Sequence, residues 1–162
     1  MELAIGWFKI NWWVMRVIQF FSRSKGIDHC SLIFRVKDDS AQVVHIQKKK
    51  SAKIVKLSAL LKVYTPIETF SLGDVDMTED EIRDYFAGDF RFQLWRTVLW
   101  FFVTRWFSKW KPDGCGVICS KILKNCGFGV KTCVKPIDLY KELEDGNYII
   151  SRTSWGGEVN GS

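Results

Sequence analysis

Histidine is scarce in this chain. Among 162 residues there are only His29 and His45, so any imidazole-dependent chemistry has to use one or both of them. No apolar run reaches the roughly 20 residues that a membrane-spanning helix needs. The stretch TVLWFFVT (97–104) is closed off by Arg96 and Arg105, and MELAIGWFKINWWVMRVIQFF is broken by Glu2, Lys9 and Arg16. No small-residue cleavage site follows that first stretch, which argues against a secretion signal. A cytoplasmic or virion-associated protein is therefore expected rather than a secreted one. There is no CxxC knuckle: Cys115, Cys119, Cys126 and Cys133 are spaced too widely for the usual structural zinc site. The five cysteines cannot all pair within one chain, and without a secretion signal free thiols are the expectation. Repeats, low-complexity tracts and long linkers are also missing, so residues 1–162 read as one domain.

What the chain has in excess is aromatic surface and positive charge. Aromatic residues make up 15% with eight Trp, and the formal net charge is +6. Such a charge favours anionic partners without choosing among them. Trp7, Trp12, Trp13, Trp95, Trp100, Trp106 and Trp110 are interleaved with Lys9, Arg16, Arg96, Arg105, Lys109 and Lys111. Helical spacing assigns about half of these rings to the core. The rest could form a cationic face lying on an anionic membrane. No nucleic-acid-binding module is present, and nucleic acid is not an expected partner.

Pattern reading gives an α+β chain. Residues 10–22 carry helical periodicity, ending at a Ser22–Gly26 stretch where Gly26 can cap. Residues 29–36 alternate as a strand, with Cys30, Leu32, Phe34 and Val36 on one face and His29, Ser31, Ile33 and Arg35 on the other. Residues 41–47 return as a hairpin partner, a further strand lies near 52–57, and the lysine run 48–50 between them is solvated. Thr78-Glu-Asp-Glu81 is a capping box opening a helix to about Ala87. A second, aromatic helix covers 92–108, residues 113–116 form a loop, and 117–126 a helix ended by Gly127. Pro136 opens a short helix and 148–152 a closing strand.

The hairpin turn decides whether the two histidines can cooperate, because residues paired across strands share a face. A two-residue loop sets His45 opposite Leu32, away from His29. A loop of three or five residues sets His45 opposite Ser31 and Gln47 opposite His29. Joint use of the histidines requires the odd length. Cys119 is the nucleophile candidate, placed in the first turn of the 117–126 helix, where free amides and the helix dipole favour a thiolate. That field alone lowers a thiol pKa by about one unit or less, so an imidazolium partner is needed. A small core cysteine explains Cys119 equally well in isolation, and explains Cys115, Cys126 and Cys133 better still.

Val17-Ile-Gln-Phe-Phe-Ser-Arg-Ser-Lys25 leading to Asp28-His29 and a strand resembles the permuted NlpC-type papain-like families. Val117-Ile-Cys119-Ser120 with Leu123 resembles their CS-x-L nucleophile helix, and Pro136-Ile-Asp138-Leu139 their C-terminal proline-led helix. His29 with Val43-Val44-His45 is similar to the lecithin:retinol acyltransferase-like branch. The chain departs from the pattern at Lys121, where many permuted members have Glu, and at His45, where bacterial-type members often have an acidic residue. Gln47 is the alternative third residue.

The resemblance implies a permuted papain-like fold, a small antiparallel sheet packed on helices with the nucleophile helix late in the chain. It implies a thiol hydrolase or acyltransferase, cysteine peptidase- or amidase-like and of bacterial or phage style. Cys119 would attack an amide or ester carbonyl in cell-wall peptide, protein or lipid. His29 would be the acid–base partner, His45 or Gln47 its orienter, and the Cys119 amide an oxyanion donor. No metal or organic cofactor is implied. The competing expectation is a non-catalytic interaction protein, viral structural or host-directed, on the same scaffold.

Overall fold

A computed structural model describes residues 1–10, 26–35, 41–46, 52–78, 80–81 and 114–155. The expected helix over 10–22, the lysine run 48–50, the aromatic helix 92–108 and all of the Trp-bearing segments except those at Trp7 and Trp155 lie outside these residues. The fold is α+β. Its framework is one antiparallel sheet of six strands in the order β4-β3-β2-β1-β5-β6. The strands are β1 Glu2–Lys9, β2 His29–Arg35, β3 Ala41–Ile46, β4 Ala52–Lys56, β5 Thr65–Asp74 and β6 Ser151–Ser154. Three described helices accompany it: α1 Leu57–Leu61, α2 Cys115–Asn125 and α3 Pro136–Asp145. Among the described residues no helix is long and apolar enough to cross a membrane.

Two strands were not foreseen. β1 pairs with both β2 and β5, in the middle of the sheet. Its sequence, ELAIGWFK, has no polar alternation because both of its faces are covered. Leu3, Ile5 and Trp7 face a core shared with Ile118, Ile122, Leu123, Leu139 and Leu143 of α2 and α3. Phe8 joins Ile33 and Leu60 in a smaller cluster on the opposite face. Trp7 is fully buried, edge-on to Phe70 and Tyr140 at 5.5 and 5.2 Å between ring centres. Among the described residues its indole N–H has no hydrogen-bond partner. β5 carries polar residues among its apolar ones and is only half-buried, which hid it from periodicity.

The β2–β3 hairpin has the odd-length register. Ile33 pairs with Val43, Phe34 with Gln42 and Arg35 with Ala41, so the five positions 36–40 connect the strands. The paired ladder ends at Ile33–Val43. Carried on unchanged, it sets His45 across from Ser31.

Helix ends follow local chemistry. α2 stops in a Schellman arrangement: Phe128 N–H donates to the Leu123 carbonyl and Gly127 N–H to that of Lys124. Gly127 takes φ 88°, which costs glycine little. α3 repeats the device with Asn147 at φ 55°, its neighbour Tyr148 donating to Leu143. The box at Thr78 is formed as expected. Thr78 N–H donates to Glu81 Oε2 at 2.7 Å, Glu81 N–H to Thr78 Oγ1 at 3.3 Å, and the Thr78 amide and hydroxyl lower the carboxyl pKa.

Candidate active site

α2 begins earlier than periodicity indicates, and this changes which cysteine sits at its positive end. The expected loop 113–116 and helix start at Val117 are corrected: Gly114 is the N-cap and Cys115 the first helical residue. Asp113-Gly-Cys-Gly reads as a turn, yet Gly116 belongs to the helix because of a close approach. A Cβ there would lie 2.8 Å from the Cys133 carbonyl oxygen and 2.9 Å from that of Val134. The glycine lets the chain at Cys133 and Val134 lie against the first turn.

Cys119 is consequently one turn further in, not in the first turn. It is 2% exposed and belongs to the core between α2 and the sheet. Its Sγ lies 3.8 Å from the Cys30 carbonyl oxygen. The following residue, Ser120, has a structural task. Its hydroxyl donates to the Gly116 carbonyl at 2.7 Å and accepts from the Cys133 amide at 3.1 Å, all buried. Ser120→Ala removes that acceptor and leaves a buried N–H without a partner. A loss of about 1–3 kcal/mol is expected, read as a lower urea midpoint at unchanged slope. A loss under about 0.5 kcal/mol, typical of surface positions, would refute this account.

His29 opens β2 and is buried at 6% exposure. Its Nε2 is 3.0 Å from Ser31 Oγ, and its ring stacks on Tyr64 at 4.8 Å and 18°. Phe8, paired with His29 across the strands, flanks it at 6.2 Å. These contacts hold the imidazole in one plane at the end of the strand. Cys30, the next residue, points to the opposite face, into the core with α2.

Cys115 packs against the core that holds Cys30, and both Cys30 and His29 act on its thiol. Cys115 is partly exposed, whereas Cys30 and Cys119 are buried. Its pKa is held well below that of an ordinary thiol, first by the hydrogen bond from Cys30, then by the charge and hydrogen bond of His29 and the Cys30 amide. Burial opposes these effects without cancelling them. Cys30 is driven the other way: burial first, then its contacts with Cys115 and Cys119, raise its pKa well above normal. The two thiols are thus pushed in opposite directions, Cys115 toward the thiolate and Cys30 toward the neutral thiol. Burial, and secondarily the negative Cys115, also raise the Tyr64 hydroxyl.

The helix end adds to this. The first intrahelical bond described at this end runs from Ile118 N–H to the Gly114 carbonyl. The amides of Cys115, Gly116 and Val117 thus have no acceptor in their own helix, and they favour negative charge at its mouth.

Of the residues singled out from sequence, His29 is at this site and Cys119 is buried behind it. His45 belongs to β3 by its backbone; its side chain and all of Gln47 lie outside the described residues. Cys115 was passed over because the two glycines around it resemble a loop. The same pair is the signal that was available, since glycine also marks close backbone approach. Among the described residues no group of His, Cys, Asp and Glu is arranged to hold a metal ion. No family model, no curated protein and no solved structure matches this chain.

Proposed function

We propose that this protein is a thiol-dependent hydrolase or acyltransferase of the permuted papain-like kind, with Cys115 as the nucleophile and His29 as its acid–base partner. The observation that carries the reading is Cys115, a partly exposed residue that opens α2, whose thiol pKa is drawn down by Cys30 and by the charge of the buried His29. Nucleophile, base and helix end are the three parts that thiol acyl transfer needs. In this reading the Cys115 thiolate adds to the carbonyl of an amide or ester. Negative charge builds on the carbonyl oxygen, and amides at the mouth of α2 are the donors nearest to hand. Imidazolium then passes its proton to the leaving nitrogen or oxygen, and an acyl-Cys115 remains. Water, or an acceptor nucleophile, completes the transfer with His29 as base. Ser31 and Tyr64 act as positioning residues for the ring. The CS-x-L motif then serves packing, through the buried Cys119 and Ser120. Cell-wall peptide, protein and lipid remain the substrate classes this chemistry suits, and a cationic aromatic face would favour an anionic surface.

p-Nitrophenyl acetate tests the assignment without knowledge of the natural substrate. It is expected to place an acetyl group on Cys115, seen by peptide mass mapping. The adduct should disappear in Cys115→Ala and persist in Cys119→Ala. Acetylation of Cys119 that survives Cys115→Ala would return the role to Cys119. No acylation of either cysteine in the folded chain would favour the interaction-protein alternative.

A further inference from the structure

The positive charge of this chain is gathered in one stretch. From Ser40 to Ile67 there are six lysines (Lys48, Lys49, Lys50, Lys53, Lys56 and Lys62) and no Asp, Glu or Arg. The other 18 of the 24 basic side chains are matched by 18 acidic ones, so this stretch holds the whole formal charge of +6. We propose that it docks the protein on an anionic phospholipid surface, through the sheet edge at β4 and the residues that follow α1. The inference goes beyond the proposed function and does not rest on it, since acyl transfer at Cys115 uses none of these lysines.

Topology brings the lysines together. β3 and β4 pair from Gln42–Lys56 to Ile46–Ala52, β4 is the last strand of the sheet, and α1 follows it directly. Lys48, Lys49 and Lys50 belong to the connection between the paired Ile46 and Ala52, so chain reach alone keeps them near this edge. Positions 53 and 56 are an odd number of residues apart on one strand and fall on opposite faces of the sheet. What they share is the edge, which pairs with no further strand among the described residues. Lys56 and Lys62 are exposed, and neither forms an ion pair with a described residue. Lysines along an edge repel a second copy of that edge, so the partner is an anion and not this chain.

Residue type selects lipid among the anions. Arginine's planar fork is the group that grips single phosphates bidentately, as nucleic acid or a phosphopeptide requires, and the stretch has none. Ammonium groups on flexible stems act as point charges, which suits a fluid surface whose phosphates hold no fixed position. Lysine clusters of about this size are the pattern that anionic headgroups attract. An apolar residue joins them: Val63 follows Lys62 and is 67% exposed, with half-buried Leu61 and Tyr64 on either side of the pair. A lone valine offers nothing to a polyanion in water, whereas a bilayer interface buries it beside the acyl chains. Tyr64 stacks on His29 at 4.8 Å, so docking at Val63 sets the membrane next to the candidate active site.

The test is co-sedimentation of the full chain with vesicles of phosphatidylcholine containing one-third phosphatidylserine, against phosphatidylcholine alone. Binding is expected to the first and not to the second, and it should fall steeply between about 0.1 M and about 1 M salt as screening shortens. A lysine near the surface is worth about fivefold in affinity, so Lys56→Gln/Lys62→Gln should bind about 25-fold more weakly. Val63→Ser removes apolar area but no charge, and should weaken binding several-fold at an unchanged salt slope. Arg96→Gln/Arg105→Gln removes the same charge from the aromatic segment and should bind as the parent does. Binding that ignores phosphatidylserine, or that is lost in the arginine variant and kept in the lysine variant, overturns the proposal. So does displacement from vesicles by a trace of duplex DNA or polyglutamate, which would assign the edge to nucleic acid or to an acidic protein. The lipid and salt arms need only the parent chain, and acylation of Cys115 is read without vesicles, so either reading can fail alone.

Discussion

His29→Ala is expected to move the pH–rate midpoint of Cys115 alkylation upward by about two units and to slow the alkylation by about tenfold at pH values below both midpoints. An opposite charge at contact shifts a pKa by roughly 1–3 units. His29 is one of two residues that lower this thiol, after the hydrogen bond from Cys30. Below both midpoints, a rise of about two units cuts the thiolate fraction about a hundredfold, but a more basic thiolate is more nucleophilic. With a Brønsted slope of about 0.4–0.5, close to a tenfold net loss remains. The sign is that of a depressed pKa. Cys115 stays ionised below the usual thiol value of about 8.5 and loses charge only as pH falls through its lowered pKa. The stability that its ionised contacts add follows the same course, present above the unfolded value and lost on acidification through the folded one. Iodoacetamide rates by mass spectrometry against pH provide the check. Cys126 is the internal reference, because burial raises its pKa and no histidine figures among the causes. Superimposable Cys115 profiles in the parent and His29→Ala would dissolve the pair.

Trp7→Ala should be the most damaging single change in the described core, costing about 3–5 kcal/mol. Domains of this size are stable by about 5–15 kcal/mol, so the variant sits near the edge of folding. At roughly 2–4 °C per kcal/mol, the melting temperature should fall by about 6–20 °C. Trp7 packs on Phe70 and Tyr140 and pairs in register with Cys30, so the cavity would open directly behind the thiol cluster. Trp7→Phe separates packing from polarity. It keeps an aromatic ring and removes an N–H that has no acceptor among the described residues, a group whose burial costs about 1–3 kcal/mol. The phenylalanine variant is therefore expected to keep most of the stability. Equal losses for Phe and Ala would mean that the indole N–H contributes a favourable contact. Thermal and urea denaturation of both variants decide this.

His29 at the mouth of a strand, the hairpin partner at 41–46 and the helix stop at Gly127 were legible because each rests on local chemistry: alternation, turn composition, and a left-handed cap. The capping box at Thr78 belongs with them, since its partners are three residues apart. The hairpin register was half legible. Composition left two loop parities open, and the pairing Arg35–Ala41 selects the odd one.

Local pattern misled where long-range contact decides conformation. Residues 2–9 are apolar on both faces, and such a run does not declare whether it is strand or helix. It becomes the central strand only because β2 and β5 close on it from 21 or more residues away in the chain, the nearest pair being Phe8 and His29 (29 − 8 = 21). Gly114 and Gly116 have the signature of a turn, and only the carbonyls of Cys133 and Val134 show why a helix needs a glycine there. That shift of two residues moves the helix mouth from the neighbourhood of Cys119 to Cys115.

By itself, the sequence determined that a thiol and one of two imidazoles were the available chemistry, and that the thiol would lie on a late helix facing an early hairpin. Which thiol meets His29 was decided by tertiary structure alone. The starting point of α2 and the end of β2 are set by separate packing contacts, and their meeting, 86 positions apart by the difference of 115 and 29, has no trace in local periodicity.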